Sequence, residues 1–126
     1  MKVKIDTREK FHVITILETN LAANMTEEME NCLGPLLEQS VKNVIVNLKD
    51  IQNIEIAAAE KLTSLQQTFY ENNASFVICC LQPEVENALD QVELLELMNV
   101  TPTESEAWDI VQMEEIERDL LGPDSL

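Results

Sequence analysis

The sequence predicts an α/β domain, a mixed sheet of four to five strands with about four α-helices packed against it. Three observations carry this. Short, mostly apolar runs recur: "FHVITIL" (11–17), "NVIVNL" (43–48) and "ASFVICCL" (74–81). Segments with apolar residues three and four apart separate them. The resulting order, β-β-α-β-α-β-α-(β)-α, contains two β-α-β crossovers, which place strands in parallel and helices against the sheet.

Each element has a local reason. "KVKIDT" (2–7) and the run 11–17 read as two strands joined by the charged turn "REK", and alternation in the second supports this. The first helix lies in "NMTEEMENCLGPLLEQ", with Asn24 expected as N-cap, Glu27 at N3, and Met29, Cys32, Leu33 and Leu36 at helical spacing. Gly34-Pro35 should kink or break it, because an interior proline removes a backbone hydrogen bond and clashes with the preceding turn. The unbroken run 43–48 reads as a central strand covered on both faces.

The second helix is expected from about 57 to 71. Ala58, Leu62, Leu65 and Phe69 form the stripe facing the sheet, and Ala57, Lys61, Ser64 and Thr68 a short polar stripe facing solvent. Pro83 opens the third helix at its first position, with Val85, Ala88, Leu89 and Val92 as apolar residues. A short strand near Val100 follows. Thr103 caps the last helix with Glu106 at N3, and Trp108, Val111 and Ile116 should face inward. "RDLLGPDSL" is expected to turn at Gly122-Pro123 and then fray.

At 126 residues the chain is long enough for one domain with one core. No apolar run approaches a membrane span, and "MKVKIDTREK" has no apolar h-region behind its basic residues. A cytoplasmic protein without membrane insertion is expected. Cys32, Cys79 and Cys80 form no CxxC pair and are expected as buried reduced thiols. Twenty-four acids against eight bases give a net charge of −16. That argues against nucleic acid and anionic lipid as partners. It leaves a solubilising surface, or an acidic face for a basic protein.

Candidate chemistry is sparse. His12 is the single histidine, so neither a metal set nor a nucleophile–base pair can be assembled around imidazoles. The acid pairs Glu27/Glu28 and Glu114/Glu115 read as solvated faces in so acidic a chain. The two glycines, Gly34 and Gly122, make no phosphate-binding loop. Phe69 and Tyr70 lack the basic neighbours of a stacking platform. No enzyme, cofactor or metal is expected. One segment stands out, "VNLKDIQNIEIAAAEKL" (46–62), where a strand passes through a short acidic loop into a helix. In α/β proteins that junction often presents a reactive or phosphorylatable side chain. Here the helix opens on Ile56, Ala57, Ala58 and Ala59.

The region from Val44 to Leu62 resembles the STAS domain, the fold of bacterial anti-sigma factor antagonists, whose pattern is a strand like "LVLDLS" and then "D-S-S-G-L" opening a helix. Gln82-Pro83 resembles the family's Ser-Pro start of the third helix, and "LELMNVTPTESEAW" its leucine-rich helix end and last cap. The resemblance covers roughly residues 2 to 115, with 116–126 as an acidic extension beyond a domain of 1–115.

In antagonists that switch partners, the resemblance implies phosphorylation of the second serine by an anti-sigma kinase, which adds charge and breaks the complex. In this sequence the acidic position is Glu55, the two serine positions are Ile56 and Ala57, and the glycine position is Ala58. The family's G-E-L-D is "TNLA", Thr19 to Ala22. Ala57 is thus a degenerate phosphosite, because a methyl group accepts no phosphate. Glu55 copies phosphate poorly and already fills the family's acidic position; Ser64 is a substitute target to weigh against an ordinary solvated serine.

The resemblance implies protein–protein binding through Glu55, Ile56, Ala57, Ala58, Lys61 and Ser64, by a monomer or homodimer, in transcription regulation or other signalling. The implied partner is a kinase-type anti-sigma factor. The alternatives are a transporter ATPase, with this chain as accessory subunit, or other STAS chains in a signalling scaffold.

Overall fold

The computed structural model describes residues 1–121. The most apolar run lies at its centre. β4 (Asn43–Asn47) has all five residues buried and pairs in parallel with β2 (Phe11–Ile16) and β6 (Phe76–Cys79). β1 (Val3–Thr7) adds an antiparallel edge through the turn after Thr7. β7 (Val100–Thr101) closes the other edge in parallel with β6. Among the described residues the sheet therefore has five strands in the order β1-β2-β4-β6-β7. A second, two-stranded parallel piece joins β3 (Asn20–Leu21) to β5 (Asn53–Ile54). Two-residue strands are too short to show alternation, so the sequence pattern does not reveal them.

Four helices complete the fold of the described residues: α1 (Thr26–Leu33), α2 (Ile56–Glu71), α3 (Pro83–Gln91) and α4 (Glu104–Leu121). Alternation along the strands divides the core. Ile14, Val44, Val46 and Ile78 meet Met29, Leu62, Leu65, Phe69 and Val85 of α1, α2 and α3. Val13, Ile45, Val77 and Cys79 meet Ala107 and Val111 of α4. Covering on both faces is why β4 reads as an unbroken apolar run.

Several local expectations hold and others change. α1 ends at Leu33 and residues 34–38 tighten into a 3-10 turn, so the break falls at Gly34-Pro35. Pro83 is the first residue of α3, and the Thr103 hydroxyl accepts from the Glu106 N–H at 3.2 Å. Asn24, however, is no N-cap. It lies inside a 3-10 turn (Ala23–Met25) that precedes α1, and Met25 caps the helix without a side-chain bond. The Ala23 N–H that opens this turn is met from afar, by the Glu55 carboxylate at 3.0 Å.

Ile116 is exposed, at 59%, rather than inward. One turn of α4 beside it turns Glu115 toward the sheet, where Asn43 and Arg118 satisfy the carboxylate. Ala88 and Val92 are exposed, leaving Val85 and Leu89 as the core residues of α3. Position 115/116 falls within α4, which continues to Leu121; the turn expected at Gly122-Pro123 lies outside the described residues.

His12 is a structural residue. Its Nε2 donates to the Val41 carbonyl and its Nδ1 accepts from the Thr7 hydroxyl, each at 2.9 Å. Cys32, Cys79 and Cys80 are free thiols, but only Cys79 is buried; Cys32 and Cys80 are half-buried. Burial, and then the neighbouring Cys80, push the Cys79 thiol far above its ordinary range, which keeps it protonated and unreactive.

Candidate partner-binding face at the start of α2

The parallel strands deliver three loops to one end of the sheet, the end where open α/β sheets present their sites. Two of these loops are laced together. The Thr19 carbonyl accepts from the N–H groups of Gln52 (2.7 Å) and Asn53 (3.3 Å), and the Glu55 N–H donates to the Leu21 carbonyl at 2.9 Å. The Asn53 amide donates to the Asn20 side-chain carbonyl at 2.9 Å. The third loop joins through Gln82, whose side-chain amide donates to the Lys49 carbonyl at 2.7 Å.

Glu55 holds the centre of this arrangement. Its backbone is extended (φ −85°, ψ 149°), as an N-cap requires, and its carbonyl accepts the first helical bond of α2, from the Ala59 N–H at 3.0 Å. Its carboxylate points away from the helix to the Ala23 N–H. The first turn of α2 is therefore fixed by neighbouring loops and needs no side-chain cap of its own.

The expected contact residues separate into two groups. Ile56 (56% exposed), Ala57 and Ser64 stand in solvent, and Lys61 is half-buried. Ala58 is fully buried among the residues facing the sheet, together with Leu62, Leu65 and Phe69. It therefore leaves the contact set, because a helix turns by about 100° per residue and its neighbour Ala57 already takes the outward direction. Thr68 is exposed one turn beyond Ser64, and its hydroxyl donates to the Ser64 carbonyl at 3.1 Å.

α1 packs alongside α2 and leaves an open cleft of about 600 Å³ between them. Thr26, Glu27 and Glu30 line it from α1, and Ala57, Glu60, Lys61 and Ser64 from α2. The Lys61 ammonium pairs with Glu30, while Glu27 and Glu60 have no ion-pair partner among the described residues. The cleft is thus acidic, with the Ala57 methyl in its wall. Thr26, Glu27, Glu30 and Glu60 were not legible as site residues. Helical spacing gives each a direction on its own helix, but nothing local says that α1 and α2 lie side by side.

What the face can do follows from its groups. It offers small side chains, carboxylates and one paired ammonium, with no hydroxyl at Ala57 and no nucleophile–base pair. Among the described residues no three His, Cys, Asp or Glu converge to hold a metal ion, and no helix is long and apolar enough to cross a membrane.

The family model of the STAS domain matches residues 2–107, from the first strand into α4. The chain belongs to the STAS domain family. Solved STAS-fold structures superpose over most of it. An anti-sigma factor antagonist from Mycobacterium paratuberculosis matches with a TM-score of 0.75 at 12% identity, over 88% of this chain and 93% of that one. The anti-sigma factor antagonist SpoIIAA of Bacillus, in its unphosphorylated form, matches with a TM-score of 0.69 at 15% identity, over 88% and 96%. A Moorella thermoacetica RsbS variant in which glutamate replaces a serine matches with a TM-score of 0.70 at 17% identity, over 89% and 96%. At these identities the likeness establishes the STAS fold. No curated protein matches this STAS chain by sequence.

Proposed function

We propose that this STAS domain is a non-enzymatic, cytoplasmic regulator of the anti-sigma factor antagonist kind. It binds a kinase-type anti-sigma partner through the α2 face and is not switched by phosphorylation at the position of Ala57. The observation that carries this is the exposed Ala57 methyl in the wall of the α1–α2 cleft. The helix start is held rigidly by Glu55 and the laced loops, so the platform persists without a phosphate acceptor on it. A binding surface that cannot gain a phosphate stays in its binding state, since the charge that would repel the partner is never added.

The test is a tagged pull-down from the native lysate with ATP and magnesium, read by mass spectrometry for partners and phosphosites. Wild type is expected to recover a kinase-fold partner and to carry no phosphate, and Ala57→Arg to lose that partner while its thermal transition stays put. Ala57→Ser, incubated with the recovered partner and ATP, should gain a phosphate on the new hydroxyl. A transporter ATPase in place of the kinase would move the role to an accessory subunit. Phosphate on Ser64 of the wild type would show that the switch lies further along α2, and would overturn the claim of an unswitched platform.

A further inference from the structure

α4 has a second apolar face. Ala107 and Val111 are buried against the sheet, yet Met113, Ile116 and Leu120 are 56, 59 and 68% exposed. With about 100° of rotation per residue, these three fall within a sector of roughly 60° on the pole of the helix opposite Val111. Single exposed apolar residues are ordinary on a protein surface, but three in helical register form a stripe. Asp109 stands at its N-terminal end, and Glu117 and Asp119 flank it on either side, all exposed.

We propose that this stripe is a docking surface for a basic amphipathic helix of a partner protein, with apolar anchors three and four residues apart and Lys or Arg beside them. Charge selects that occupant. Arg118 is the one base in the sequence of α4, and it is turned inward, its guanidinium donating to the Glu115 carboxylate (2.9 Å) and the Asn43 side-chain oxygen (3.1 Å). A second copy of this chain would set Asp109, Glu117 and Asp119 against their own counterparts, with no base on the helix to offset them. An anionic membrane is repelled for the same reason. A partner helix with basic flanks covers the apolar stripe and meets the acids together. The surface lies across the sheet from the α1–α2 cleft, so both can be occupied at once, and the domain becomes a bridge between two proteins. This holds whichever partner sits at α2.

The probe is a labelled synthetic leucine–lysine helix of roughly 18 residues, long enough to run the stripe, titrated with the whole protein by fluorescence anisotropy at physiological salt. The double variant Met113→Ser/Ile116→Ser removes the stripe from a solvent-exposed face, and circular dichroism melting confirms that it folds. Binding is expected to weaken by about tenfold or more in that variant, and to be unchanged by Ile5→Ser, which removes an exposed apolar residue on β1. Equal binding by wild type and the double variant would show that net charge alone attracts the probe, and would overturn the proposal. So would a wild-type dimer in sedimentation equilibrium that the double variant abolishes, since the occupant would then be a second copy.

Discussion

The two faces of the sheet are covered by different means. On one, α1, α2 and α3 share a large apolar cluster in which Leu62, Phe69 and Phe76 are fully buried, with the two rings edge to face at 5.2 Å. On the other, α4 rests on two small side chains, Ala107 and Val111, with Trp108 set 5.1 Å from Phe11 and under the Arg8 guanidinium. Its second half is then held by polar groups. The Tyr70 and Ser75 hydroxyls donate to Glu114 at 2.7 and 2.6 Å, the Asn99 amide donates to Tyr70 at 2.7 Å, and the Asn43 amide donates to Glu115 at 2.7 Å. Burial first, and then the Glu114 carboxylate, push the Tyr70 phenol far above its ordinary range, so it remains a donor. A helix anchored by its acids must turn its remaining apolar residues outward. Past its exposed first residue, Ile56, α2 keeps the usual rule of apolar in and polar out; the last turns of α4 turn half-buried acids inward and apolar residues outward.

The sharpest way to break this contrast is on α2 itself. Ala58→Arg forces a charge into the sealed cluster and should cost more than about 4 kcal/mol, abolishing cooperative urea unfolding. Ala57→Arg, one residue earlier, should stay within about 0.5 kcal/mol of wild type. Equal loss in both variants would mean that the outward stripe is core.

On the α4 side a smaller effect is expected. Tyr70→Phe strands the Asn99 amide and removes one donor from Glu114, lowering stability in urea by about 1–2 kcal/mol. No change would show that the polar anchoring of α4 contributes nothing. The smallest effect concerns acid. Burial alone would raise the Glu115 pKa, but the Asn43 amide and then Arg118 outweigh it, and the carboxyl sits below its ordinary value. A folded pKa below the unfolded one contributes stability that is present above the unfolded carboxylate range and is lost as pH falls through the folded value. Glu115→Gln should therefore flatten the acid side of a stability–pH profile relative to wild type. An unchanged acid limb would detach Glu115 from the anchoring of α4.

The inversion on α4 also explains which residues could be placed from the sequence. Ala57, Lys61 and Ser64 were legible because α2 beyond the exposed Ile56 is uniform in its logic, and one apolar stripe predicts the opposite polar one. Ala58 belongs to the apolar stripe by the same spacing; placing it among the contacts as well followed the loop motif, and packing overrules that. Ile116 was misplaced because its apolar type outweighed its direction: five residues after Val111, it lies about 140° round the helix from that inward residue. The inward positions beside it are taken by half-buried acids whose partners are remote: Asn43 is 72 residues from Glu115.

By itself the sequence determined the order of the helices and of the five strands of the main sheet, the parallel crossovers, the central position of residues 43–47, the break at Gly34-Pro35 and the absence of a hydroxyl at Ala57. Each depends on periodicity or residue type over a few neighbouring positions. Only the tertiary structure decided that Glu55 caps the turn at Ala23, that α1 supplies half of the cleft beside Ala57, and that Tyr70, Ser75 and Asn43 meet the Glu114 and Glu115 carboxylates of α4. Those outcomes depend on hydrogen bonds and ion pairs between segments far apart in the chain. No local pattern encodes which distant group will meet a given carboxylate.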